Sequence, residues 1–258
     1  KFELLRSAFH TELLQTILTT DSKTGSPSNA DKSSRLSTEL AKGMLTEIGF
    51  PSLDVTKAAG QTSGKNFEVI VGGYLSSAMG LLQHLTAFDL KVSVAGSIDE
   101  FEQYEHLKMI SEVLEGNPML RATLGDYLIK PDIVVSKLPL SDSIINQLET
   151  LIEGDSSSKL SPILARNSKE GILNILHASI SCKWTIRSDR AQNSRTEGLN
   201  LIRNRKGRTP HIAIVTAEPL PSRLASIALG TGDIDCVYHI ALPELQIAAQ
   251  KLGSKDAI

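Results

Sequence analysis

The sequence predicts an α/β fold in which a mixed central β-sheet is flanked by helices. Five stretches have the short apolar or alternating pattern of strands: residues 88–96, 132–136, 175–184, 211–218 and 232–242. Amphipathic helical patterns separate several of them, and this arrangement is typical of α/β proteins. The sequence has no internal repeat and no linker long enough to divide it, so we expect one domain over residues 1–258.

Four helices are predicted from apolar residues that recur every three to four positions. They cover residues 2–17, 37–49, 67–82 and 104–116. The third is predicted to begin at Phe67, after a polar loop over residues 51–66, so that Glu68 lies in its first turn. Another polar loop, with several serines, a glycine and a proline, separates the first two helices.

The composition excludes several classes of protein. Hydrophobic residues make up 41% and charged residues 22% of the sequence, which are ordinary values for a globular protein. No apolar run reaches the roughly 18 to 20 residues that a membrane helix needs, and the N-terminal stretch has no signal-peptide pattern. We therefore expect an intracellular protein without a membrane partner. Cys182 and Cys236 are not spaced as a CxxC pair, which argues against a disulfide framework or a zinc site.

Residues 60–66, GQTSGKN, match a phosphate-binding P-loop only in part. In that motif four residues separate the two glycines, and the lysine is followed by a Ser or Thr that reaches Mg²⁺. Here only three residues separate Gly60 from Gly64, and Asn66 follows Lys65. No convincing strand precedes the stretch, so we expect no nucleotide cofactor.

Positive charge is concentrated in one segment of a chain whose net charge is only −2. Residues 187–208 contain seven basic and two acidic residues. An arginine can donate two hydrogen bonds to guanine, and an aspartate can accept one from cytosine, so Arg187, Asp189 and Arg190 are candidate readers of adjacent G·C pairs. The alternatives are a solvated helix face or a salt-bridged helix start with Asp189 as its cap.

One strand-borne lysine is a candidate catalytic group. Alternation along residues 175–184 places Ser181 and Lys183 on the face opposite Ile180 and Cys182. A lysine near the end of a strand is often only an edge residue. It becomes a candidate for catalysis if a carboxylate from another part of the chain faces it.

Three carboxylates are candidates for that partner. Asp132 stands at the start of a predicted strand, Glu68 lies on a predicted helix, and Glu197 follows Lys183 by fourteen residues. Two or three carboxylates with a lysine can hold Mg²⁺ through oxygen ligands and activate a water molecule for attack on a phosphate. Because Asp, Glu and Lys are common, spacing alone leaves this chemistry as one option among several.

Residues 183–197, KWTIRSDRAQNSRTE, together with Asp132 and Glu68, resemble the CCGG family of type II restriction endonucleases, which belong to the PD-(D/E)XK nuclease superfamily. The resemblance continues through residues 197–208, 211–223 and 227–239. It implies a restriction-endonuclease-like fold in an enzyme of the bacterial cytoplasm, a type II site-specific deoxyribonuclease. The expected reaction is Mg²⁺-dependent hydrolysis of double-stranded DNA at a palindrome with a CCGG core, G/CCGGC, which leaves 5′ overhangs. A homodimer or homotetramer is the implied assembly.

The resemblance also implies the catalytic residues, which are Glu68, Asp132, Ser181, Lys183 and Glu197. In this family a serine stands two positions before the lysine, where an acid is usual, and a glutamate from the following helix fills the space. Ser181 and Glu197 match that pattern. The implied metal ligands are Asp132, Glu68 and the backbone carbonyl of Cys182. Lys183 would position or polarise the attacking water.

The resemblance implies six DNA contacts, by Ser33, Gln61, Arg187, Asp189, Arg190 and Arg223. Arg187, Asp189 and Arg190 would read the inner CCGG pairs from the major groove. Arg223 would read the outer G·C pair. Gln61 matches a minor-groove contact, and Ser33 matches a further contact with the DNA. The same stretch of chain would then carry both the catalytic lysine and the inner base readers.

Two other classes of function stay open at this point. A DNA-binding regulator with a nuclease-like fold would keep the arginine cluster and need no metal. A structure-selective repair nuclease would keep the acidic site and need no base reader. Cleavage assays with and without Mg²⁺ separate the first from a restriction enzyme, and DNA that lacks a CCGG core separates the second.

Overall fold

The computed structural model describes residues 1–49, 60–86, 88–119, 129–151, 173–186, 188–229 and 232–253. Among these residues three α-helices precede the first strand, after which strands and α-helices alternate. The helices are α1 (Phe2–Thr16), α2 (Arg35–Ile48), α3 (Gly60–Leu82), α4 (His106–Glu115), α5 (Asp142–Ile145), α6 (Ser188–Asn204), α7 (Pro221–Ala228) and α8 (Leu242–Leu252). The strands are β1 (Leu90–Val94), β2 (Ile133–Lys137), β3 (Ile175–Lys183), β4 (His211–Thr216) and β5 (Cys236–His239). None of the described helices is both long and apolar enough to cross a membrane.

The five strands form one mixed sheet in the order β1-β2-β3-β4-β5. Strands β1 and β2 are antiparallel, with Val92 opposite Val135, whereas β4 and β5 are parallel, with Ile214 opposite Val237. Each strand lies within four residues of its predicted bounds. The predicted α/β class, a mixed sheet flanked by helices, is confirmed.

Strands β2 and β4 are buried along almost their whole length. In β2 the residues from Ile133 to Ser136 are all buried, and in β4 the residues from Ile212 to Thr216 are. A strand that is covered on both faces has no polar face, so its sequence is a continuous apolar run rather than an alternating one. This explains why IVV and IAIV were recognisable as strands without strict alternation.

The chain contains two compact units. Unit 1 comprises Lys1–Ala78, Ile180–Thr196 and Ile212–Ile258, and unit 2 comprises Met79–Ser179 and Glu197–His211. The boundaries between these ranges fall inside α3, β3, α6 and β4. The organisation of residues 1–258 as a single domain stays a prediction.

In unit 2, a buried glutamine fixes the first half of β3. The side chain of Gln103 donates from Nε2 to the Leu176 carbonyl at 2.8 Å, and its Oε1 accepts from the Leu176 amide at 2.9 Å. The neighbouring Tyr104 is fully buried, and its hydroxyl donates to the Leu201 carbonyl at 2.9 Å. Both polar side chains are buried with partners, as buried polar groups must be to avoid a desolvation penalty.

Helix α3 begins seven residues before its predicted start at Phe67, so the prediction that Glu68 lies in the first turn is wrong. Glu68 lies in the third turn. The residues from Ser63 to Asn66 are polar and exposed or half-buried, and a turn that faces solvent gives no apolar periodicity to detect. Gly64 costs about 1 kcal/mol of helix propensity without breaking the helix. The stretch that partly matches a P-loop is therefore helical.

Helices α2 and α8 of unit 1 approach closely at Gly43. A Cβ atom added there would lie 2.7 Å from the Cβ atom of Ala248 and 3.5 Å from its Cα atom. Such a distance is well inside van der Waals contact, and the opposing atoms belong to a short side chain and a helix backbone that cannot turn away. Glycine is therefore required for this helix pair to pack as it does.

We expect Gly43→Ala to lower the free energy of unfolding by up to about 2 kcal/mol. Alanine gains about 1 kcal/mol in helix propensity, but overpacking of this kind costs about 1 to 3 kcal/mol. Urea unfolding measures the balance. Gly73→Ala is the matched control, because nothing lies within 4 Å of a Cβ atom added at that position of α3. Only the propensity gain should appear there. Equal stability changes in the two variants would contradict the close approach.

Candidate functional site

The second half of β3 presents the predicted serine and lysine on its less buried face. Ile180 and Cys182 are buried, whereas Ser181 and Lys183 are half-buried. This alternation agrees with the prediction from the sequence. Ser179, which the same pattern would place with Ser181, is buried, so the alternation holds only from Ile180 onward. Lys183 is the last residue of the strand.

An aromatic contact in unit 1 joins α3 to the end of β3. The ring of Phe67 is fully buried and meets the ring of Trp184 nearly at right angles, with the ring centroids 5.1 Å apart. Glu68 follows Phe67, and Lys183 precedes Trp184. The contact therefore ties the turn of α3 that carries the predicted acid to the strand end that carries the predicted lysine. Glu68 is half-buried, with Phe67 holding its turn in place.

Asp132 of unit 2 stands immediately before β2. Its backbone carbonyl accepts a 2.9 Å hydrogen bond from the amide of Ala95, the residue after β1, which has a left-handed backbone with φ 59°. Pro131 and Ile133 on either side are buried, and Asp132 is half-buried. The hydrogen bond extends the β1–β2 ladder by one step and fixes the backbone of Asp132. Glu197, also of unit 2, is half-buried in α6, so a glutamate does follow on the next helix, as predicted.

The predicted metal ligands fit Mg²⁺ by type. Carboxylate oxygens from Asp132 and Glu68 and a backbone carbonyl from Cys182 are the hard oxygen ligands that this ion prefers. The three residues belong to different units, Asp132 to unit 2 and the others to unit 1. Within the described ranges, no three His, Cys, Asp or Glu side chains are grouped so as to hold a metal ion. Metal binding by this set stays a prediction.

The predicted readers of the inner base pairs lie at the start of α6. Arg187 lies outside the described residues. Asp189 and Arg190 are helical, in the first turn of α6, and the structure describes their backbone only. The same holds for Gln61 in the first turn of α3. The last described residue before this segment, Ile186, is fully buried.

The structure brings two predicted DNA contacts of unit 1 together through an aspartate. Arg223 lies in the first turn of α7, and its Nη2 donates to Asp31 Oδ2 at 2.5 Å. Asp31 Oδ1 accepts hydrogen bonds from the Ser33 hydroxyl at 2.7 Å and from the Ser33 amide at 3.1 Å. The hydrogen bond from the Ser33 side chain, followed by that from Arg223, lowers the pKa of Asp31 well below its ordinary value. The carboxylate is thus ionised at neutral pH and holds both residues.

Glu218 is a buried acid, in contact with a predicted DNA-binding residue, that the sequence reasoning missed. It is 1% exposed, and it accepts hydrogen bonds from the Ile186 amide at 2.8 Å and from the Leu220 amide at 3.1 Å. Its Oε2 also lies 3.6 Å from Arg223 Nη1. Burial raises the pKa of Glu218, and the two backbone hydrogen bonds and Arg223 partly oppose this. A single acid at the end of the apolar run HIAIVTA was the available indication.

Arg195, one of the arginines of the basic segment, has partners within the protein. Arg195 of α6 donates from Nη2 to the Ser226 carbonyl at 2.6 Å, and its Nη1 lies 4.0 Å from the buried carboxylate of Asp233. These partners lie far along the chain from the start of α6, so the salt-bridged helix start with Asp189 as its cap stays untested by them. At least this basic residue of the segment 187–208 therefore makes contacts within the protein itself, and not all of the positive charge there is available to bind a partner.

Comparison with known proteins identifies close relatives. The NgoMIV restriction enzyme family model matches residues 9–258. Type II restriction enzyme NgoMIV of Neisseria gonorrhoeae is 46% identical over 259 residues, covering 98% of this chain and 89% of that enzyme. A crystal structure of the type IIF restriction endonuclease Bse634I with cognate DNA is similar with a TM-score of 0.44 at 14% identity, covering 94% of this chain and 91% of that one. A second Bse634I structure gives 0.42 at 13% identity, covering 83% and 81%. These structural similarities are too distant to transfer function.

Proposed function

The chain belongs to the NgoMIV restriction enzyme family, and from this membership we propose that it hydrolyses double-stranded DNA, with Mg²⁺, at G/CCGGC to leave 5′ overhangs. The membership confirms the predicted class, a type II restriction endonuclease and thus a site-specific deoxyribonuclease. The observation that carries the proposed catalytic chemistry is the Phe67–Trp184 contact. It ties the helical turn of Glu68 to the strand end of Lys183, as a shared catalytic centre requires.

In the proposed reaction, carboxylates from Asp132 and Glu68 and the carbonyl of Cys182 would hold the ion, and Glu197 would complete the acidic set. When bound, Mg²⁺ supplies stabilisation of the negative charge that develops on the phosphate. Lys183 positions or polarises the water that attacks phosphorus in line, and the bond from phosphorus to the 3′ oxygen breaks. The products are a 5′-phosphate and a 3′-hydroxyl. Ser181 occupies the usual place of a second acid beside Lys183.

In the proposed recognition mode, residues 187–190 read the inner pairs of the CCGG core, and Arg223 reads the outer G·C pair. Gln61 contacts the minor groove, and Ser33 makes a further contact with the DNA. Ser33 and Arg223 both donate hydrogen bonds to Asp31. This shared partner supports the proposal that the two residues contact the DNA at the same edge of the recognition site. The buried Ile186 supports a rigid link from the catalytic strand to the inner readers. A rigid link lets cleavage depend on correct reading.

A palindromic site requires two copies of the reader related by a two-fold axis, so we include a homodimer or homotetramer in the proposal. Helix α4 supports the proposed assembly because it has an exposed apolar face. Two apolar side chains one helical turn apart on it are largely exposed, Met109 by 72% and Val113 by 64%. Exposed apolar faces of this kind often mark protein interfaces. The bacterial relative supports a location in the bacterial cytoplasm.

A digest of defined DNA tests the proposal. Linear fragments that carry GCCGGC, ACCGGT or no CCGG core are incubated with Mg²⁺ or with EDTA, and the ends are mapped. The expected result is cutting only in the presence of Mg²⁺, with CCGG 5′ overhangs, and much faster on GCCGGC than on ACCGGT. Binding without cutting would favour the regulator, and cutting without a CCGG core would favour the repair nuclease. Equal cutting of ACCGGT would overturn the assignment of the outer pair.

A further inference from the structure

Glu218 is a buried carboxylate that has no assigned role in the proposed catalysis or in the proposed reading of bases. It follows β4 by two residues and is almost completely buried. Burial of a charged carboxylate is unfavourable unless hydrogen bonds and an opposite charge compensate it. The groups that compensate the charge of Glu218 therefore indicate its role.

Those partners belong to the two segments that are proposed to read bases. Oε2 accepts from the amide of Ile186, the residue directly before the inner readers at 187–190, at 2.8 Å. Oε1 accepts from the amide of Leu220, the N-terminal cap of α7, at 3.1 Å. Oε2 also forms an ion pair with Arg223, the proposed outer reader in the first turn of that helix, at 3.6 Å.

The surroundings leave this carboxylate little freedom. Ile186 packs in a buried cluster with Ile214 of β4 and Ile227 of α7, so its side chain and its amide are both fixed. Hydrogen bonds to an ionised acceptor are shorter and stronger than neutral ones, and they fix geometry as well as contributing energy. A shift of the carboxylate would thus displace the backbone at Ile186, the start of α7 and the guanidinium of Arg223 together.

We propose that Glu218 is a positioning residue that holds the inner reading segment and Arg223 in mutual register, so that discrimination at the outer base pair depends on it. The inference rests on the proposed function, in which residues 187–190 and Arg223 read bases. Glu218 acts through Arg223 and the Ile186 backbone, and being buried it does not touch the DNA itself.

The test is Glu218→Gln, with the ratio of single-turnover cleavage rates on GCCGGC and ACCGGT as the readout. A glutamine has a single side-chain oxygen, so it accepts from only one of the two amides, and it is neutral, so it loses the ion pair with Arg223. We expect the ratio to fall by about tenfold or more, in the range for a lost base-reading contact. An unchanged ratio would overturn the proposal.

Glu244→Gln is the matched control. Glu244 is another largely buried carboxylate of unit 1, paired with Arg6 at 2.6 Å, and the pair involves neither reading segment. A merely structural role for Glu218 would lower the melting temperature of both variants and leave both ratios at the wild-type value. The positioning role predicts that only Glu218→Gln changes the ratio.

Arg223→Ala separates failure of this inference from failure of the proposed function. If Arg223→Ala keeps the wild-type ratio, Arg223 does not read the outer pair, and the recognition proposal is wrong. If Arg223→Ala lowers the ratio and Glu218→Gln does not, only the positioning role is wrong. In the double variant we expect no further loss beyond Arg223→Ala, whereas additive losses would overturn action through Arg223. If Glu218→Gln does not fold, Glu218→Asp, which is one methylene shorter, is measured with the same outcomes.

Discussion

Asp132→Ala and Lys183→Ala are each expected to abolish DNA cleavage while sequence-specific binding is largely retained. Asp132 is a proposed ligand of the metal, and Lys183 is the proposed group that positions the attacking water. Removal of one such transition-state stabiliser typically lowers kcat by a factor on the order of a hundred to a thousand. Single-turnover cleavage with Mg²⁺ measures the loss. Gel-shift titration on GCCGGC and on an unrelated duplex measures binding.

Lys91→Ala is the matched control for Lys183→Ala. Lys91 is also a strand lysine, in β1, but it is exposed and has no proposed role. We expect this variant to cleave at the wild-type rate. Full cleavage by Asp132→Ala or by Lys183→Ala would remove that residue from the proposed catalytic set, and a parallel loss of specific binding would indicate a structural role instead.

Arg190→Ala is expected to cost about 1 to 3 kcal/mol of discrimination at one guanine of the CCGG core. A guanidinium can donate to both O6 and N7 of guanine, and alanine leaves these acceptors without a partner. Competition binding against duplexes with a substitution at each core position measures the loss position by position.

Arg195→Ala is the control for Arg190→Ala, because it removes an arginine from the same helix whose contacts are with Ser226 and Asp233. It should lower stability and leave discrimination unchanged. If Arg190→Ala instead weakens binding equally on all sequences, Arg190 contacts phosphate and the reading assignment is wrong.

Much of the fold could be predicted because strands and core-facing helices leave local patterns. The apolar run that became β4 and the alternation from Ile180 to Lys183 are visible in the sequence itself. The start of α3 was mispredicted because its first turns have a polar sequence. Intrinsic propensity is then too weak to separate a solvated turn from a loop.

The candidate site likewise contains residues that could be predicted from the sequence and residues that could not. The strand lysine and the arginine cluster were visible as residues, and the family, now confirmed, followed from their motifs. Glu218 and Asp31 could not be singled out, because their importance lies in contacts with residues far along the chain. Asp31 meets Arg223 across 192 positions, and Glu218 meets the Ile186 amide across 32. A single sequence contains no local pattern that pairs such positions.

The packing of Trp184 against Phe67 has an optical consequence. The sequence contains one tryptophan, so all indole emission from this protein originates beside Lys183. Shielding by a buried phenylalanine makes that emission sensitive to any loosening between α3 and β3. The molecule thus carries an intrinsic fluorophore at its proposed catalytic strand end, through which ion or duplex addition can be followed without a label.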